Sequence, residues 1–131
     1  MNQHMKRFAA LTAGVALATL AGCASTPSTP LPTVPAVDLA RYAGAWYEVA
    51  ALPNRFQKQC VADTQARYRQ TGADIEVVNR CRTADGKVDD ITGVAKVVPD
   101  SGNAKLRVSF FRPFYGDYWI LALGGGADYG W

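Results

Sequence analysis

From Asp38 onward, apolar and polar positions alternate with a period of two, the repeat of a half-buried strand. Ala62, Thr64, Ala66 and Tyr68 share one parity, against Asp63, Gln65, Arg67 and Arg69 on the other. Ile75, Val77 and Asn79 alternate with Glu76, Val78 and Arg80. Leu106, Val108 and Phe110 alternate with Lys105, Arg107 and Ser109. Further strands are expected at Ala45–Leu52, Gly93–Val98 and Tyr118–Leu123, the last apolar on both parities. Turn sequences separate them: Thr71-Gly72-Ala73-Asp74, Ala84-Asp85-Gly86-Lys87 and Pro99-Asp100-Ser101-Gly102-Asn103. Asp38 can cap a single helical turn ahead of the first strand. The spacing predicts an all-β fold, an antiparallel up-and-down sandwich or barrel.

One hairpin carries enough pattern to predict a register. Setting the inward residues face to face puts Ala62 opposite Asn79, Thr64 opposite Val77 and Ala66 opposite Ile75. The same register puts Cys60 directly opposite Cys81, at disulfide distance. A slip of two residues keeps both cysteines inward but leaves them diagonal. Ala62, Thr64, Ala66, Gly93 and Ala95 are small for inward positions. Facing only a few aromatics (Tyr68, Phe110), they suggest space inside, although small residues also sit under large neighbours.

The first residues do not join this pattern. Lys6 and Arg7 precede Phe8–Leu20, an uncharged run of 13 residues, short of the roughly 20 that cross a bilayer. Leu20-Ala21-Gly22-Cys23 follows. The arrangement is that of an export signal, and its last four residues resemble the lipobox of bacterial lipoproteins. The resemblance implies removal of residues 1–22 and conversion of Cys23 to a diacylglycerol-bearing, palmitate-acylated N-terminus. With Ala24 following Cys23, it implies an outer-membrane anchor facing the periplasm. Residues 23–37, with four prolines among Ser and Thr, read as an extended tether. The folded domain is then expected over residues 38–131. An exported, oxidising destination makes a Cys60–Cys81 disulfide the default.

Charge and chemistry narrow the function. The net charge of +3 falls to +1 without Lys6 and Arg7, which gives no reason to expect nucleic acid. The single histidine, His4, lies in the signal, so the commonest general base and metal ligand is missing from the domain. Asp89 and Asp90 are adjacent on a strand and point to opposite faces. Glu48 shares the parity of Trp46 and reads as a rim carboxylate. Gly124-Gly125-Gly126 lacks the Lys-Ser/Thr of a phosphate loop. No enzyme activity, cofactor or metal site is expected.

Gly44-Ala45-Trp46, followed by Tyr47-Glu48-Val49-Ala50, resembles the first signature of the lipocalin family. Leu106–Leu123, "LRVSFFRPFYGDYWILAL", resembles the same region of bacterial outer-membrane lipocalins. Ala127-Asp128-Tyr129 falls at the second signature, with Ala127 in place of its threonine. The resemblance spans Asp38 to Trp131. It implies a calycin-like barrel around a small apolar ligand, with Gly44 bending the chain and Trp46 closing the floor. The implied ligand is a fatty acid or lysophospholipid, bound or transported for membrane maintenance. Alternation and resemblance together place Tyr68, Val77, Val97, Val108 and Phe110 in the pocket, with Phe114, Tyr115 and Tyr118 as an aromatic lip. The sequence stops two residues after the second signature, where a lipocalin would continue with two strands, a helix and an arginine that packs on the tryptophan. The barrel is therefore expected to be incomplete at its C-terminal side, either as a fragment or closing as a homodimer. The alternative function is a structural or assembly lipoprotein of the envelope that binds no ligand and meets a partner through an open sheet edge.

Overall fold

The computed structural model of the chain describes residues 29–125 and Tyr129. The expected signal peptide, Cys23 and Asp128 lie outside the described residues. Asp38 starts a one-turn helix, α1 (Leu39–Tyr42), by accepting hydrogen bonds from the amides of Ala40 and Arg41. Six strands follow: β1 (Gly44–Tyr47), β2 (Cys60–Thr71), β3 (Asp74–Thr83), β4 (Val88–Val97), β5 (Lys105–Phe111) and β6 (Phe114–Trp119). They form one antiparallel sheet in sequence order. Among the described residues, β1 and β6 share no ladder, so the sheet is curled without being closed.

The pairing sorts the side chains into two faces. Gly44, Tyr68, Val77 and Gly93 form one row across β1–β4. Ala95 pairs with Val108, and Val97 continues through Leu106 to Tyr118. These residues make the concave, inner face. The outer face is polar, with Arg69–Glu76, Arg80–Asp90 and Arg107–Asp117 as cross-strand ion pairs. Such exposed pairs contribute at most about 1 kcal/mol each. Core residues Val37, Tyr42, Ile75, Val77, Ala95, Ala104, Leu106 and Ile120 gather at one end of the sheet.

Face assignments match the alternation in the sequence from Gln65 onward, but Ala62, expected inward, pairs with Arg82 of the outer face and is exposed, and the register of β2 and β3 also differs from expectation. Thr71 pairs with Asp74, which leaves Gly72-Ala73 as a two-residue turn with Gly72 at φ +69°. A glycine with positive φ at the first turn position is what a tight hairpin accepts. It moves the register by four residues, so Ala66 meets Asn79 and Tyr68 meets Val77. An even shift preserves every face, so alternation alone does not separate the two registers. Two irregularities, between Cys60 and Ala62 and between Ala62 and Gln65, take up part of the offset. Asp63 within them has φ +55°, and its carboxylate accepts from Arg82 Nε at 2.7 Å. Cys60 then faces Thr83 rather than Cys81. The disulfide nevertheless forms on the diagonal, with Cα atoms 5.5 Å apart.

Three strand boundaries also differ from expectation. β1 ends at Tyr47, and Val49 and Leu52 are exposed in the loop beyond it. β4 begins five residues before Gly93, at Val88. β6 begins at Phe114, because Arg112-Pro113 suffices to return the chain and pair Phe111 with Phe114. It ends at Trp119, where the N-terminal segment takes over the pairing. Ile120 donates to Ala104 O at 2.8 Å and accepts from Val34 N at 3.0 Å. Val37 N donates to Gly102 O at 2.8 Å, and Asn103 Nδ2 donates to Val37 O at 3.1 Å. Gly102, at φ +61°, has no room for a Cβ against the Pro35 carbonyl. Val34–Val37, read from sequence as the end of an extended tether, is thus a strap across the core end of the sheet, with Val37 only 3% exposed.

The Cys60–Cys81 bridge links β2 and β3 across 21 positions at the end opposite the core. Reduction, or a Cys60→Ser/Cys81→Ser pair, is expected to lower stability by about 3 kcal/mol in the chain-entropy model. Urea unfolding with and without reductant reads this directly. An unchanged midpoint contradicts it.

Candidate ligand-binding face

The core end is built around aromatic rings. After α1, Gly44 at φ +107° turns the chain into β1. That turn brings Trp46 back onto Tyr42. Trp46 Nε1 donates to the Tyr42 carbonyl at 2.8 Å, and the two rings stack with centroids 4.7 Å apart. Tyr42 packs next on Tyr68 (5.1 Å), and Tyr68 on Tyr118 (6.3 Å). The phenol hydroxyls converge: Tyr42 and Tyr118 lie 2.8 Å apart, and Tyr68 donates to Tyr118 at 3.2 Å. Tyr42 precedes β1 while Tyr118 lies on β6, so these rings join the two margins of the curled sheet.

Burial pushes the Tyr42 and Tyr68 phenols well above the usual tyrosine range, and the neighbouring Tyr118 pushes them further. Both remain neutral hydrogen-bond donors throughout the physiological range. Tyr129 joins the floor from outside: its hydroxyl accepts from Asp38 N at 3.0 Å, and the Arg41 guanidinium lies 4.0 Å from its ring centroid. Gly44, Trp46 and Tyr129 of the two signatures therefore meet at one end of the sheet.

The predicted pocket residues divide. Tyr68, Val77, Val97, Val108, Phe110 and Tyr118 share the inner face, where Val77 is buried and Tyr118 is 38% exposed. Phe114 stands at the far rim, 77% exposed. Tyr115 lies on the outer face, its ring 5.8 Å from the Arg107 guanidinium, beside a groove of about 340 Å³. Tyr115 and Tyr118 are three positions apart on one strand, an odd spacing that separates their faces.

Gly93 is small because Phe110 lies over it. A Cβ there would come within 2.6 Å of the Phe110 ring and 2.5 Å of the Ser109 carbonyl. The room expected above Gly93 is thus filled. Open space lies instead over Gly116, opposite Val108, where an added Cβ meets nothing within 4 Å. Glu48, Asp89 and Asp90 are exposed. Among the described residues, no group of three His, Cys, Asp or Glu side chains could hold a metal.

Sequence reasoning overlooked Tyr42, reading it only as the end of a helical turn. Its position four residues before Trp46, on the near side of a glycine bend, was the available signal. Val37 and Ile120 carried none, since their partners in the strap are remote in sequence.

A sequential antiparallel meander, curled around an apolar face and floored by a stacked tryptophan, defines a wall of the calycin type of barrel. Residues 37–131 match the lipocalin-like domain, and the chain belongs to that family. It is 35% identical to the outer membrane lipoprotein Blc of Citrobacter freundii over 116 residues, covering 88% of this chain and 64% of the relative. It is 38% identical to mouse apolipoprotein D, covering 81% and 61%. Among solved structures it resembles insecticyanin from the tobacco hornworm Manduca sexta, with a TM-score of 0.60 and 28% identity, covering 72% of this chain and 52% of that one. The chain spans about three-fifths of the length of the two relatives.

The raised phenols fix a pH response. The folded chain keeps the Tyr42 and Tyr68 protons above the ordinary value of 10.0, where the unfolded chain releases them. Their contribution to stability is therefore complete below that pH and declines as pH rises beyond it. Urea midpoints measured on either side of pH 10 should fall on the alkaline side, and less so in Tyr42→Phe/Tyr68→Phe. Equal slopes in the two proteins argue against the assignment.

Proposed function

We propose that the chain binds one elongated apolar ligand, a fatty acid or lysophospholipid, along its inner face, as a lipoprotein anchored in the outer membrane through Cys23. The observation that carries this reading is the continuous inner stripe of Tyr68, Val77, Val97, Val108 and Phe110, which leads from the rim to a hydrogen-bonded aromatic floor. Binding is driven by desolvation, at about 25 cal/mol per Å² of apolar ligand surface, and the polar groups along the face fix orientation. The function is binding and carriage without turnover, in support of membrane maintenance. The outer-membrane lipoprotein among its relatives supports the location.

A second reading draws on the margins of the sheet. The outer edges of β1 and β6 carry no partner strand among the described residues, and Tyr47 and Phe114 are largely exposed there. That arrangement suits a ligand-free assembly module that pairs with a second copy.

Titration of the disulfide-intact chain with a fluorescent fatty acid separates the two. Saturable single-site binding is expected, weakened at least ten-fold by Val108→Trp while the circular dichroism is unchanged. No saturable binding in a folded sample, together with a stable dimer in sedimentation, favours the assembly module instead. For the anchor, Cys23→Ser is expected to move the chain from the membrane fraction to the soluble periplasmic fraction. Retention in the membrane overturns the lipidation.

A further inference from the structure

We propose that the Tyr42–Tyr68–Tyr118 triad is a hydrogen-bond donor site for the polar end of the ligand, so that a single-chain carboxylic acid lies with its carboxyl group at the floor and its tail toward the rim. This rests on the ligand-binding reading above and adds the orientation and the head-group chemistry.

The argument begins with hydrogens. Three phenols carry three hydroxyl hydrogens, and the triad makes two mutual hydrogen bonds, both meeting at Tyr118. Tyr68 spends its hydrogen on Tyr118. One further hydrogen is shared between Tyr42 and Tyr118, whichever of them donates. One hydrogen remains, and among the described residues no group outside the triad takes it up. Where Tyr42 donates to Tyr118, the remaining hydrogen is Tyr118's, and it is the exposed member of the triad, open to an acceptor.

The surroundings say where the acceptor enters. Tyr42 is 7% exposed and closed off by Trp46 and Tyr68, whereas Tyr118 is 38% exposed. Gly116 shares the inner face with Tyr118, two positions away on β6, and the space above it is open. A ligand lying over Gly116 and Val108 reaches the Tyr118 hydroxyl with its end.

The surroundings also select the head group. The cations of the central strands, Arg67, Arg69, Arg80, Lys96 and Arg107, all have the outer-face parity. A phosphate-bearing head would bring its charge to the apolar end of the face, away from the central-strand cations, which is costly. A carboxylic acid can bind there in neutral form, accepting from the triad through its carbonyl oxygen. The site therefore favours a fatty acid over a lysophospholipid.

Two measurements on the disulfide-intact chain test this. In the first, hexadecanoic acid and palmitoyl lysophosphatidylcholine compete with a bound fluorescent fatty acid. The acid is expected to displace it at about ten-fold lower concentration. Tyr118→Phe is expected to remove that preference in a chain that still shows the folded circular dichroism spectrum at the assay temperature. In the second, Trp119 and Trp131 are replaced by Phe so that Trp46 alone reports. Hexadecanoic acid brominated beside its carboxyl group should then quench Trp46 more strongly than the acid brominated at its tail.

Equal displacement by the two lipids, a preference that survives Tyr118→Phe, or stronger quenching by the tail bromine overturns the head-down site and leaves apolar binding standing. Failure of both lipids and the probe to bind a folded chain overturns both.

Discussion

The contact between Tyr42 and Tyr118 is the constraint on which the rest of the inner face depends. One residue precedes the first strand and the other sits on the last. No backbone ladder among the described residues joins those margins, so side chains hold the curl. The stack Trp46–Tyr42–Tyr68–Tyr118 supplies three ring contacts. Each is worth about 0.5–1.5 kcal/mol beyond its buried area. The two hydroxyl bonds add about 1 kcal/mol each. Their total is a few kcal/mol, a substantial part of the 5–15 kcal/mol that stabilises a typical domain. The concave shape is thus maintained by one aromatic cluster at one end.

The opposite end is held by different chemistry. Cys60 and Cys81 join β2 to β3 where the ladder is irregular, and a covalent bond tolerates a diagonal approach that hydrogen bonds do not. Between these two fixed points the central strands pair without interruption, from Gln65–Arg80 to Thr71–Asp74 on one side of β3 and from Arg82–Val88 to Ile75–Ala95 on the other. The strap Val34–Val37 then covers the core end, adding backbone hydrogen bonds to the β4–β5 turn and to Ile120 just beyond β6. A hydrophobic set this small would be marginal without such closures.

Local chemistry announced the faces. Period-two alternation assigned inner and outer residues correctly on β3, on β5 and on β2 beyond its irregular start, where Ala62 turns outward opposite Arg82, and Asp38 marked the start of α1. The resemblance of Gly44-Ala45-Trp46 to a known signature located the floor. Register was not legible, because a four-residue shift leaves the alternation intact and the choice fell to one glycine in a turn. Tyr115 was misplaced because "FRPFYGDYW" carries aromatics on both parities, and only the pairing of Phe111 with Phe114 decides which face each takes. The inward small residues hinted at volume, yet Gly93 is small to seat Phe110, and the open space lies over Gly116. Contacts between segments far apart in the chain, such as Val37 with Gly102, left no periodic trace.

The composition of the floor carries a further lesson. Phenylalanine at positions 42, 68 and 118 would stack with the same rings and bury the same carbon surface. The three hydroxyls instead require desolvation, which is recovered only through bonds they make to one another. The bonds among the three hydroxyls offset that cost. The hydroxyls thus contribute modestly to stability, through bonds that all meet at Tyr118. The Tyr118 hydroxyl, on the exposed member of the triad and beside the open space over Gly116, also gives the floor a polar group that a ligand can reach. In this fold the same rings can hold the wall in shape and present a polar group at the closed end of an apolar trough.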